Sequence, residues 1–372
     1  MYGLKHEYFM INPKKEFQVF FARQEEFQRF YEDLLATMDM GRVPRYVLCG
    51  AFGVGKTHFL QHLKYKISDR ADGIYVATPP CHRRSSFIEF YREVVSTMGR
   101  MTVTGLLREG LKSRARTKEM ELSEDLAYVI DNALKEKKSF LLWKFLSGEK
   151  IKSAEADRLE AVRPQLFAED AVAILNAIAI QHEKINKRPL LLLVDEFETT
   201  MNLGGDAKVE FTEALRSLVD EGSRVGIVFA LTARSLAEMP DPLDTEPVRR
   251  RIGITNFIEF DEYKDEELER FMRQVIQYRR DSKFDVKKLL GSLQTKETVD
   301  VETFPFSGEA LKEIANSVVL FKEQNKIEAV RPKEALEIMD RALRVATLRK
   351  LPFINKDIIL AVRDEVVEAL KV

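Results

Sequence analysis

The 372 residues suffice for two to three domains, and 45% hydrophobic with 32% charged residues describes a helix-rich globular chain. No run of about 18 apolar residues occurs, so no membrane partner is expected. A formal net charge of −1 excludes a broadly basic protein, so any nucleic-acid contact must come from a local patch or from a small patch repeated in a ring or filament.

Residues 1–7 have no signal-peptide core, and two cysteines, Cys49 and Cys81, make no disulfide framework; a reducing, cytoplasmic location is the expectation. Residues 1–22 read as an aromatic-rich arm with Tyr8, Phe9, Phe17, Phe20 and Phe21. The spacing of Phe27, Phe30, Leu34 and Leu35 predicts a helix over 23–38. An apolar strand, 46–49, leads into Gly50-Ala51-Phe52-Gly53-Val54-Gly55-Lys56-Thr57, and a helix over 57–66 follows. A second strand is expected at 74–78 and a helix at 86–98. Residues 101–165 form a charge-rich insert, helical in tendency but without a simple pattern. A helix over 166–185 precedes Leu190-Leu191-Leu192-Leu193-Val194, the continuous apolar run of a central parallel strand. Asp195 and Glu196 stand at its end. Then come a helix (209–221), a buried strand (226–232) and a short last strand (257–260). After about residue 261 only helices are predicted: one from Asp265 with a stripe of Leu268, Phe271, Met272, Val275 and Ile276, then 307–321, 332–348 and 356–370, the last capped by Asn355.

The segment 50–57 fits G-x-x-x-x-G-K-[ST] in the order strand, glycine loop, helix. Glycines let backbone N–H groups converge on phosphate oxygens, and the helix N-terminus adds positive potential. Lys56 then reaches the β- and γ-phosphates, and Thr57 offers a hydroxyl to Mg²⁺. His58 follows directly and is grouped with the nucleotide-contacting residues; its i,i+4 spacing with His62 suits a metal, but no further ligands accompany the pair. Asp195 is assigned to Mg²⁺ and Glu196 to the attacking water, which makes hydrolysis of ATP the expected reaction. Thr232 or Arg234 can touch the γ-phosphate, with Thr232 favoured by strand register. Among Arg249, Arg250 and Arg251, one is expected to reach the nucleotide of a neighbouring copy; Arg250 is preferred. Arg331, just before Pro332 at a helix start, can fold back on the phosphates.

This succession resembles the AAA+ ATPases, and within them the replication-initiator, origin-recognition clade. Phe21-Ala22-Arg23-Gln24-Glu25-Glu26-Phe27 is similar to that clade's Gly-Arg-x-x-Glu motif, with alanine in place of glycine, which places Arg23 among the cofactor-binding residues. Residues 258–268 look like the clade's approach to the lid, 330–336 like its lid-arginine helix, and 354–358 like its closing helix. The resemblance covers about 20–100 and 166–372 and implies an α/β P-loop fold, a parallel five-stranded sheet flanked by helices, followed by an all-α lid. It implies three regions: an arm (1–22), an AAA+ nucleotide-binding domain (23–260, insert 101–165) and a lid (261–372). The clade carries a winged helix after the lid; this sequence ends at Val372, so none is expected. The stretch 142–150 looks loosely like BREX-type phage-defence ATP-binding proteins, and DNA-transposition regulators of the same superfamily are a comparable likeness.

Three functions follow as expectations. The first is an ATPase that self-associates into a ring, spiral or filament and acts on or near DNA or a DNA-acting protein. The second is a nucleotide-dependent scaffold that recruits a partner enzyme without touching DNA. The third, a protein-threading motor, is disfavoured because Thr78-Pro79-Pro80-Cys81-His82 replaces an aromatic pore loop. The basic stretches 112–118 and 81–84 are candidate phosphate-tracking patches, beside the alternative of solvated loops.

Overall fold

The computed structural model describes residues 2–77, 82, 86–112, 118–233, 235–292, 299–324, 326–327 and 329–370. The chain forms two compact units, one of Phe30–Cys49 and Leu60–Glu259, the other of Met1–Arg29, Gly50–Phe59 and Phe260–Val372.

In the first unit, the apolar runs form strands and the sheet order is β2-β3-β4-β1-β5, with β1 at Arg45–Gly50, β2 at Asp72–Val76, β3 at Leu190–Val194, β4 at Gly226–Thr232 and β5 at Phe257–Phe260. Parallel register pairs Tyr75 with Leu193 and Val76 with Val194, and on the other side Leu191 with Gly226 and Val194 with Phe229. Every residue of β3 is buried, as an unbroken Leu/Val strand covered on both faces must be. Helices α3 (Phe87–Met98), α8 (Ala168–Asn186) and α9 (Gly205–Leu218) contribute apolar faces to the same core. Among the described residues the stretch read as an insert includes α4 (Arg100–Leu111), α5 (Glu124–Lys135), α6 (Ser139–Leu146) and α7 (Ser153–Leu159). They bury Val103, Leu107, Ile130, Leu142 and Leu159 in the cluster that holds β3, so this region is core rather than appendage. The arginine run, read from sequence without a helix, closes a short one, α10 (Glu246–Ile252), started by Pro247 in its first turn.

The second unit contains α1's first residues (α1, Gln24–Asp39), the glycine loop with the start of α2 (Lys56–Lys66), and α11 (Asp265–Arg279), α12 (Val286–Ser292), α13 (Gly308–Glu323), α14 (Pro332–Leu348) and α15 (Lys356–Leu370). The stripe predicted for α11 is buried throughout. Ser307 caps α13 through Ala310 N–H at 3.2 Å, and Asn355 accepts from Ile358 N–H at 3.3 Å as expected of a cap. The aromatic arm packs into this helical core. Phe9 is fully buried and meets Phe306 edge-on at 5.5 Å; Phe21 meets Phe271 at 6.0 Å. The arm is also held by charge: Arg279, 1% exposed, pairs with Glu16 and donates to the Met10 carbonyl at 2.6 Å. Burial would raise the Glu16 pKa, but the Arg279 hydrogen bond and charge hold it below the usual range. Among the described residues no helix is long and apolar enough to cross a membrane.

Candidate functional site

The glycine loop has the backbone that its sequence demands. Gly53 (φ +83°) and Gly55 (φ +103°) sit in the region where a Cβ is strained, so the loop can fold tightly under a phosphate chain. Lys56 is 7% exposed and donates from Nζ to the carbonyls of Gly50 (2.7 Å) and Ala51 (2.8 Å). A lysine curled over its own loop can turn to a phosphate at the cost of two neutral acceptors. Val54 is buried and Phe52 is 57% exposed.

The predicted lid arginine lies on this loop. Arg331 is the N-cap residue of α14, and its guanidinium stands 5.5 Å from the centre of the Phe52 ring. A Cβ built on Gly53 would come within 2.7 Å of Arg331 Cδ, a second reason for glycine there. Arg331 pairs with Glu334, which is fully buried, while Arg331 Nε has no hydrogen-bond partner among the described residues. A partly buried cation with a buried spare donor over a glycine loop is suited to an anionic ligand.

Arg23 and His58, in the same unit, are fixed by protein groups. Arg23 is 5% exposed, donates to the Asp261 carbonyl, pairs with Glu26 at 3.3 Å and lies 4.4 Å from the Tyr263 ring centre. His58 packs edge-on against Phe20 of the arm at 5.5 Å. Burial pushes its imidazole below the usual range, against hydrogen bonds to the backbone of Val19 and Glu16. Thr57 opens on a cavity of about 740 Å³ lined also by Tyr8, Asn12 and Lys15 of the arm and by Tyr278 of α11.

In the sheet unit, Asp195 is 3% exposed directly after β3. Both its oxygens are engaged: Oδ1 accepts the Glu196 N–H at 3.0 Å and Oδ2 accepts the Tyr75 hydroxyl at 2.7 Å. Burial, and then the Asp195 charge, push the Tyr75 pKa far up, so at neutral pH it is a donor. Glu196 is exposed and left-handed (φ 50°), which turns its side chain off the strand direction. Thr232 ends β4, and its N–H is held by Glu198 Oε2 at 3.0 Å. Tyr75 and Glu198 were not singled out by sequence reasoning. The third acid of Asp195-Glu196-Phe197-Glu198 was the one local signal; a tyrosine within a strand gives none.

The three arginines of α10 separate cleanly. Arg249 pairs with Asp244 at 3.0 Å and lies 5.6 Å from the Phe257 ring centre; Arg251 pairs with Asp220 at 2.8 Å. Arg250, 77% exposed, pairs with the equally exposed Glu246. Arg234 and most of both basic patches, 113–117, Cys81, Arg83 and Arg84, lie outside the described residues. Among the described residues no group of three or more His, Cys, Asp or Glu could hold a metal, so His58 and His62 form no such cluster.

The AAA ATPase domain model matches residues 19–230 of the chain. No curated protein is similar enough in sequence to match. Among solved structures, the Aeropyrum pernix ORC2 protein, in ADPNP–ADP complexes, is similar with a TM-score of 0.53 at 14% identity, covering 92% of this chain and 67% of that one. Looser likenesses, which fix no further detail, are to Aeropyrum pernix ORC1 in complex with DNA (TM-score 0.48, 14% identity, 94% and 66% covered) and the Thermotoga maritima RuvB Holliday junction branch migration motor (0.42, 16%, 93% and 69%). The chain thus spans about two thirds of the length of these proteins.

Proposed function

Because the chain belongs to the AAA ATPase domain family, as a match over more than half its length shows, we propose that it binds ATP with Mg²⁺ and hydrolyses it to ADP and phosphate in a self-associated form. The observation that most supports this reading is the glycine loop itself, with Gly53 and Gly55 at positive φ, Lys56 returned to its own carbonyls, and Arg331 over Gly53.

In this reading the N–H groups of Gly50, Ala51, Phe52, Gly53, Val54, Gly55, Lys56 and Thr57 cradle the phosphates, and Lys56 exchanges carbonyls for phosphate oxygens. The cavity beside Thr57 suits the nucleoside, while His58 fixes the loop-to-helix junction to the arm and Arg23 fixes the first residues of the lid. Thr57 and Asp195 are the hard oxygen donors that would hold a Mg²⁺ ion arriving with the nucleotide. When bound, that ion neutralises charge on the β- and γ-phosphates. Glu196 accepts the proton of the attacking water, Thr232 orients that water or the γ-phosphate, and Arg331 stabilises the phosphate charge.

Arg250 acts on the nucleotide of a second copy in a ring, spiral or filament. Its pair with Glu246 is exposed, worth about 0–1 kcal/mol, and so is released at little cost. Arg250→Ala subunits mixed with Glu196→Gln subunits should recover activity that neither has alone.

We place this cycle on or near DNA, or on a DNA-acting protein, in the cytoplasm, supported by the family likeness to replication initiators. A second reading, a scaffold that recruits an enzyme without contacting DNA, is favoured by the net charge of −1. Phosphate release with and without double-stranded DNA, at about 50 mM salt and above, separates them, because phosphate contacts weaken steeply with salt. Salt-sensitive stimulation supports DNA action; no binding at the lower salt leaves the scaffold.

A further inference from the structure

Asp195 is not left to choose its own rotamer. Its Oδ2 takes the Tyr75 hydroxyl at 2.7 Å from the neighbouring strand, where Tyr75 is the penultimate residue of β2 and lies in register with Leu193. The Asp195 N–H in turn donates to the Val76 carbonyl at 2.9 Å, so β2 holds the aspartate by backbone and by side chain. The same phenol oxygen has a further partner: the Gln61 side chain hydrogen-bonds it. Gln61 belongs to α2, the helix that begins at Lys56, and stands one helical turn after Thr57. A continuous chain of hydrogen bonds therefore runs from α2 through Gln61 and Tyr75 to the carboxylate.

We propose that Tyr75 is a positioning residue for the magnesium response of the nucleotide site: its hydroxyl, itself held by Gln61, fixes the Asp195 carboxylate in the orientation that receives the ion. This rests on the reading of the chain as a magnesium–nucleotide binder. Outer-shell donors of this kind typically carry a 10–100-fold effect on metal affinity, because the ligand otherwise spends part of its time misaligned. Tyr75 need not be a tyrosine for packing, since its ring would fill the same space without the oxygen. A hydroxyl that only satisfied a buried carboxylate would affect stability alone.

The test uses the full chain and a fluorescent non-hydrolysable ATP analogue, titrated in EDTA and then across magnesium concentrations, with thermal melts alongside. Tyr75→Phe should bind the analogue in EDTA as the wild type does, while the magnesium concentration for half of the affinity gain rises about tenfold. Gln61→Ala should shift it the same way by less, and serves as the second variant should Tyr75→Phe fail to fold. A folded Tyr75→Phe with the wild-type magnesium midpoint, or a lower one, overturns the inference, as does an unshifted Gln61→Ala where only that variant folds. A wild type whose binding ignores magnesium overturns the nucleotide reading itself, and this inference with it.

Discussion

The glycine loop and the exit of β3 are the two stretches to which the proposed reading assigns the chemistry, and they are held in different ways. The loop is shaped by its own backbone: positive φ at Gly53 and Gly55, and a lysine bonded to carbonyls five and six residues back. The exit of β3 is shaped by others: Tyr75, 120 residues earlier, holds Asp195, while Glu198 reaches forward to the Thr232 N–H, 34 residues later. A phosphate cradle needs a conformation, which contiguous residues can encode. A metal-binding or water-activating carboxylate needs an orientation, which only a packed neighbour can supply.

Substitutions can break this contrast. The largest effect is expected for Glu196→Gln, which should slow phosphate release by about 10²–10⁴-fold while ATP affinity stays unchanged. Normal turnover by this variant would remove Glu196 from its role. Lys56→Ala strikes the other stretch and should weaken ATP binding about 100-fold, measured by fluorescent-nucleotide titration, through loss of charge-assisted phosphate contacts.

Gly53→Ala tests whether the loop is self-shaped. A Cβ there meets both a left-handed backbone and Arg331 Cδ, so ATP affinity should fall about tenfold. Wild-type affinity would mean that the loop tolerates reshaping. Smallest is Glu198→Ala, expected to lower the maximal rate about fivefold with little change in the Michaelis constant, since one carboxylate–N–H bond is lost. Glu198→Gln keeps an acceptor and should restore most of that rate; an equal loss in both would assign the effect to charge rather than to position.

The same contrast explains what could be read from the sequence. Strands β3 and β4 and helix α14 match their predicted limits, because unbroken apolar runs, or a proline at the helix start, mark their ends locally; β5 matches as well, though Glu259 interrupts its apolar residues. The glycine loop was legible for the same reason. Residues 101–165 gave no clear period because α4 to α7 are short and each buries a different subset of side chains in the core around β3. Asp244 and Asp220 pair with Arg249 and Arg251, partnerships that no linear pattern announces. Tyr75 was silent because a tyrosine in a strand is ordinary until its hydroxyl is seen on a carboxylate.

The most direct test of the central claim is magnesium-dependent phosphate release per molecule, followed as the concentration of the chain itself is raised at saturating ATP. The account predicts a rate per molecule that climbs with concentration in the wild type and is lost in Lys56→Ala and Glu196→Gln. Phosphate release that is the same in all three proteins, or the same at every concentration, would contradict it.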